Sequence, residues 1–222
     1  MPTHVAFIMD GNRRFTRIRK METGAGHRAG LTSLIIDNFR RKPEEVEHVM
    51  NLMLEKLENL LEEESLVTKY RVRVNFWGNL RMLSEPVRLA IEKAMAATSA
   101  NTGPVLSVCV AYTSTAEITH AVEESCRERL KAVQEGRSSV ATLSVKDVER
   151  SLYTAGCPDP DVVIRTSGET RLSNFLLWQT SITHLQNPSV LWPGFSIRHL
   201  VWSILEYQRA QPYLEKRKRF NF

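Results

Sequence analysis

The chain has 222 residues, 42% of them apolar and 25% charged, which is enough for one large α/β domain with a real core and excludes a disordered tail as the default state. Its net charge of +5 favours anionic partners, but phosphorylated substrates, nucleic acid and an acidic membrane surface all satisfy it equally. Three cysteines without CxxC pairing argue against a disulfide framework, and no apolar run reaches the roughly 18 residues a membrane span needs.

In chain order, His4–Met9 is a short apolar run ending in Asp-Gly-Asn, so it predicts a buried strand followed by a loop. The opening MPTHVAFIMDGN is interrupted too soon to be a secretory signal. Pro43–Leu61 carries apolar residues at helical spacing (Val46, Val49, Met50, Met53, Leu57, Leu60) behind an acidic start, and predicts a helix. Tyr70–Trp77 alternates as a strand, and Ser84 with Pro86 opens a helix to about Thr98. Val105–Tyr112 is almost continuously apolar, as in a strand covered on both faces. Helices are predicted over Thr115–Gln134 and Ser144–Leu152, a strand over Asp161–Arg165, and helices again over Leu172–His184 and Ser196–Arg219. Strands alternating with helices imply a single α/β domain over residues 1–222 with a central, mostly parallel sheet and ligands at the carboxyl ends of its strands.

Two segments gather charged, polar and glycine residues where strands should end: Met9-Asp10-Gly11-Asn12-Arg13-Arg14, and Arg165 through Asn174. Each offers guanidinium forks together with small residues whose backbone N–H groups can approach phosphate oxygens, and each precedes a predicted helix start. The first adds Asp10, a carboxylate able to hold Mg²⁺ against a diphosphate. Together they read as two diphosphate cradles with one metal-binding acid, against the plainer alternative of loops with solvated arginines. The stripe Met50, Met53, Leu57 and Leu60 suits either an apolar tunnel wall or ordinary core. Cys109 is expected to be a buried strand residue rather than a nucleophile.

In order, HVAFIMDGNRR, GHRAG, DPDVVIRTSGETRLSNFLLWQ and VLWP resemble the signature motifs of the cis-prenyltransferases, and RTSGETRLSNFLLWQ resembles the eukaryotic dolichol branch. The resemblance implies an undecaprenyl diphosphate synthase-like fold and Mg²⁺-dependent condensation of isopentenyl diphosphate onto an allylic diphosphate, yielding a long polyprenyl diphosphate. It implies that Asp10 positions Mg²⁺. It places Gly11, Asn12, Arg13, Arg14 and Arg41 at the allylic diphosphate, with His27 beside the leaving group. Arg165, Arg171 and Ser173 are placed at the isopentenyl diphosphate. It further implies a homodimer or a heteromer with a non-catalytic homologous subunit, no nucleic acid partner, and peripheral association at the cytosolic face of the endoplasmic reticulum.

The sequence departs from the pattern between Gly30 and Asn38, where roughly twenty residues of helix and strand are absent and the break falls between Leu34 and Ile35. Thr23 stands where the family commonly has an arginine, His184 where bacterial members carry a metal-binding glutamate, and Arg219-Phe220-Asn221 in place of the C-terminal RxG motif. The rival reading is therefore a shortened or silent scaffold subunit.

Overall fold

A computed structural model describes residues 1–19, 34–35, 43–62, 65–136 and 142–220. His27, Arg41, Thr23 and the flanks of the expected break lie outside them. The elements in chain order are β1 (Val5–Ile8), α1 (Asn12–Ile18), β2 (Leu34–Ile35), α2 (Pro43–Leu60), α3 (Leu66–Lys69), β3 (Arg73–Trp77), α4 (Glu85–Thr98) and β4 (Val105–Tyr112). They continue with α5 (Ser114–Gln134), α6 (Val145–Ser151), β5 (Val162–Arg165), β6 (His184–Gln186) and α7 (Ile197–Phe220). The fold is α/β, and every strand pairing among the described residues is parallel.

Two compact units emerge: residues 1–32 with 157–222, and residues 33–156. In the first, the strand order is β1-β5-β6. All four residues of β5 are buried, as expected of the middle strand of a covered parallel sheet. Val162 and Ile164 pack with Tyr207 of α7, and Phe7, Phe195 and Leu200 extend this core. Asp161 ties the start of the sheet together by accepting bonds from the Thr3 and His4 backbone N–H groups at 2.7 and 3.2 Å.

In the second unit the order is β2-β4-β3. Val74, Phe76, Val87, Ile91, Ala94 and Val110 form a core that α2 covers with Met50 and Leu57. The apolar stripe of α2 is thus packed interior, with Met53 and Leu60 against it. Gly78 has to be glycine: its φ is +137°, and a Cβ there would meet the Val110 carbonyl at 1.9 Å. Ser144 opens α6 with a reciprocal capping box to Asp147. Glu117 is fully buried yet satisfied, accepting from the Tyr112 hydroxyl at 2.5 Å and from the Thr154 backbone N–H and hydroxyl at 3.1 Å each.

One sequence expectation fails here. The helix expected over Leu172–His184 is a series of turns, followed by the unanticipated strand β6. Ser173, Asn174 and Leu176 take φ of +50°, +60° and +47°, a left-handed backbone that no right-handed helix accommodates. At the expected break the described residues hold only a two-residue strand. Leu34 pairs with Val110 and Ile35 with Tyr112, so the register skips Ala111, itself at φ +47°. This irregularity falls at the position where the sequence reading places the break.

Candidate functional site in the first unit

Parallel pairing sets Ile8 beside Arg165, so the loops after β1 and β5 leave the same end of the sheet as neighbours. The Thr166 hydroxyl stitches them, accepting from Asp10 N–H at 2.9 Å and donating to Asp10 C=O at 2.8 Å. Trp192 N–H adds a third strand of support, donating to the same carbonyl at 2.9 Å. Gly11 takes φ +103°, and a Cβ on it would lie 2.2 Å from Ser167 Oγ. The two sequence motifs are therefore in contact at that point.

Charge is arranged around this seam in two tiers. The Arg165 side chain is 5% exposed; it donates to Asp10 Oδ2 at 2.7 Å and to Ser173 Oγ at 2.6 Å, and also bonds the Arg171 carbonyl. One buried guanidinium thus fixes the first loop and the turn at 171–173 together. Arg14, at 47% exposure, lies 3.1 Å from Glu169 and 3.9 Å from Asp10. Arg171, at 65%, pairs with the other oxygen of Glu169. Three guanidinium groups against two carboxylates leave a positive excess.

Three buried polar atoms in these loops have no hydrogen-bond partner: Asn12 Oδ1, Arg165 Nε and Ser167 Oγ. Such atoms are uncommon in folded proteins, and each one calls for a ligand, a water or a reason. The backbone supplies another sign of function, because Ser167, Gly168, Ser173, Asn174 and Leu176 all have positive φ within ten residues. Strain of this density collects at ligand-binding loops.

The structure brings Asp10, Gly11, Asn12, Arg14, Arg165, Arg171 and Ser173 into one neighbourhood; Arg13 lies within α1, and His27 and Arg41 fall outside the described residues. It revises one detail: the Ser167 and Gly168 N–H groups do not face an open cradle, since they donate to the carbonyls of Val190 and Pro188 at 2.8 and 2.9 Å. At this turn side chains, more than backbone amides, are placed to meet an anion. Sequence reasoning missed Glu169 as the carboxylate between the arginines and Thr166 as the stitch, although both sit inside the motif it quoted. His184 lies opposite Val162, three residues before Arg165 along β5, and bonds Gln186. Burial lowers its pKa, so it favours the neutral form. Cys109 is a partly buried residue of β4, and desolvation first, then the charge of Glu117, pushes its thiol up to about 12.

Mg²⁺ commonly uses one or two carboxylates and completes its shell with water and substrate phosphates. Asp10, whose Oδ1 is approached among the described residues by Arg14 at 3.9 Å, fits that mode. Among the described residues no group of three His, Cys, Asp or Glu side chains gathers to hold a metal by itself.

Residues 33–215 match the prenyltransferase family described as undecaprenyl diphosphate synthase. Dehydrodolichyl diphosphate synthase CPT3 of Solanum lycopersicum is 45% identical over 256 residues, covering 99% of this chain and 88% of that protein. The dehydrodolichyl diphosphate synthase complex subunit DHDDS of Homo sapiens is 37% identical, covering 97% of this chain and 70% of that one. Among solved structures, lavandulyl diphosphate synthase from Lavandula x intermedia, in complex with dimethylallyl diphosphate, superposes with a TM-score of 0.83. It is 28% identical and covers 93% of this chain and 94% of its own. The fold and its parallel sheets are those of a prenyl-transferring α/β enzyme. This chain belongs to the undecaprenyl diphosphate synthase family of cis-prenyltransferases, and its relatives include eukaryotic dehydrodolichyl diphosphate synthases. The tomato alignment takes in 256 residues of a relative against 222 here, so more than thirty of them have no counterpart in this chain.

Proposed function

We propose that residues 1–222 form one catalytic domain that condenses isopentenyl diphosphate onto an allylic diphosphate to build a long, dehydrodolichyl-type polyprenyl diphosphate for glycosyl-carrier lipid synthesis. The observation that carries this reading is the cluster of three orphaned buried polar atoms among three arginines, where the ends of two adjacent parallel strands meet. The match over residues 33–215, which takes in parts of both units, supports treating the chain as one domain.

In this reading Gly11, Asn12, Arg13, Arg14 and Arg41 hold the allylic diphosphate, and Arg165, Arg171 and Ser173 the isopentenyl one. The isopentenyl double bond attacks C1 of the allylic substrate, the C–O bond to diphosphate breaks, and a proton leaves the new chain. Negative charge grows on the departing diphosphate, so fixed guanidinium groups aimed at it lower the barrier. Arg14 supplies that charge, the family resemblance assigns His27 to the leaving diphosphate, and buried Arg165 keeps Asp10 oriented. Bound Mg²⁺, held by Asp10, would neutralise diphosphate charge. Kinetics with each substrate varied test the division: Arg171→Ala raises KM for isopentenyl diphosphate, whereas Arg14→Ala weakens use of the allylic substrate. Equal effects on both substrates refute two separate cradles.

A homodimer or a heteromer completes the assembly, and the human relative's name as a complex subunit supports the second. We place the protein at the cytosolic face of the endoplasmic reticulum. Among the described residues no helix is long and apolar enough to cross a membrane, and the basic end of α7 suits peripheral contact with anionic lipid. A second reading, a shortened scaffold subunit, is favoured by the two-residue β2 and the unmatched residues of the tomato relative.

A further inference from the structure

The two carboxylates of the site are held in different ways. Asp10 is engaged by a guanidinium only 5% exposed, and the contact is part of the loop's framework. Glu169 instead spans two solvent-facing arms, with Oε1 3.1 Å from Arg14 Nη2 and Oε2 on Arg171 Nη1. Its own backbone is anchored from behind, since Asn187 Nδ2 donates to its carbonyl at 2.6 Å and Gly168 N–H to Pro188 C=O at 2.9 Å. An anchored backbone thus presents one carboxylate to two arginines that the proposed function assigns to separate diphosphates. Two oxygens on two guanidinium groups is the contact pattern a bridging phosphate would make.

We propose that Glu169 is an internal counter-anion, a positioning residue that occupies both arginine arms in the empty site and is displaced by the first diphosphate to bind. This rests on the reading that Arg14 and Arg171 hold diphosphate. Two consequences follow from electrostatics. Ordering the arms in advance lowers the entropy lost on binding, while the competing carboxylate lowers affinity. Displacement by one diphosphate also frees the other arm, so occupation of one site strengthens the other, and by linkage the effect is reciprocal.

The test is calorimetric titration of the full chain with inorganic pyrophosphate in Mg²⁺-free buffer, for wild type, Glu169→Gln, Glu169→Ala, Arg14→Ala and Arg171→Ala. A second titration measures isopentenyl diphosphate with and without a non-hydrolysable thio-analogue of an allylic diphosphate. Both Glu169 variants should bind pyrophosphate about three- to tenfold more tightly, the range expected for removing a partly exposed competing ion pair. The gain should shrink as salt rises, and the coupling seen with the thio-analogue should vanish. A residue with a merely structural role would weaken binding and leave the coupling intact. If Arg14→Ala and Arg171→Ala weaken pyrophosphate binding but the Glu169 variants do not strengthen it, the counter-anion is refuted and the cradles stand. If neither arginine variant alters affinity, the diphosphate reading itself fails, and the proposal with it.

Discussion

Asp10 and Arg165 form the pair on which the site's geometry turns, yet removing either one should have a distinct signature. Asp10 is about one-third exposed, but Asp10→Ala leaves the buried Arg165 guanidinium without its carboxylate and so should lower Tm as well as activity, and no neighbouring carboxylate of the first loop can take its place. Prenyl transfer at saturating Mg²⁺ should fall below about a tenth of the wild-type kcat, because a lost metal ligand costs several kcal/mol. Arg165→Ala removes a buried cation with three contacts and strands Asp10 and the 171–173 turn. Breaking such a pair costs up to about 3 kcal/mol, whereas losing the exposed Arg171 pair costs under about 1 kcal/mol. Thermal unfolding of the two arginine variants checks this: a Tm for Arg165→Ala no lower than that for Arg171→Ala would contradict the two-tier arrangement.

At the scale of elements, the seam between the loops after β1 and β5 has no spare room. Gly11→Ala places a methyl 2.2 Å from Ser167 Oγ and 2.8 Å from Leu191 Cδ2, at a φ that L-residues avoid. It should destabilise by about 2 kcal/mol or more, and adding Ser167→Ala should restore only part, since Leu191 still blocks the site; denaturant midpoints report both. The shortened β2 leaves a different mark. β4 has eight residues, but among the described residues β2 pairs with it only at Val110 and Tyr112, and Val105 and Leu106 are 58% and 41% exposed. An apolar strand with an incompletely paired edge templates aggregation. Val105→Lys should therefore reduce light scattering on concentration without lowering Tm; unchanged scattering would argue that another surface is responsible. Periodicity made most of these elements legible, because α2, α4 and α5 carry their burial pattern in the spacing of apolar residues; β4, expected to be covered on both faces, is buried only over Val110, Ala111 and Tyr112. Periodicity failed at 172–186, where apolar Leu176 and Leu177 mimic a helix but Arg165 and Glu169 hold the turns through contacts distant from them in sequence. The two motifs that meet at the β1–β5 seam were readable in the sequence. Their pairing was not, since which arginine is buried and which carboxylate bridges depends on the parallel register of β1 and β5.

For the whole molecule, the proposed function depends on both the site and the sheet that carries it. Its net charge of +5 and its arginine cluster suit anionic substrates, and its family membership fixes the class of chemistry. Six residues from Leu31 to Ile36 reach at most about 20 Å, which cannot replace a crossover helix with its strand. The decisive measurement is incorporation of labelled isopentenyl diphosphate onto an allylic diphosphate with Mg²⁺. It compares the 222-residue chain with one carrying, between Leu34 and Ile35, the corresponding segment of the tomato relative, each alone and with a presumed partner subunit. The account predicts labelled polyprenyl product from the lengthened chain, abolished by Asp10→Ala, and little or none from the chain as it stands. A lengthened, folded chain that transfers no prenyl group in any combination would contradict it.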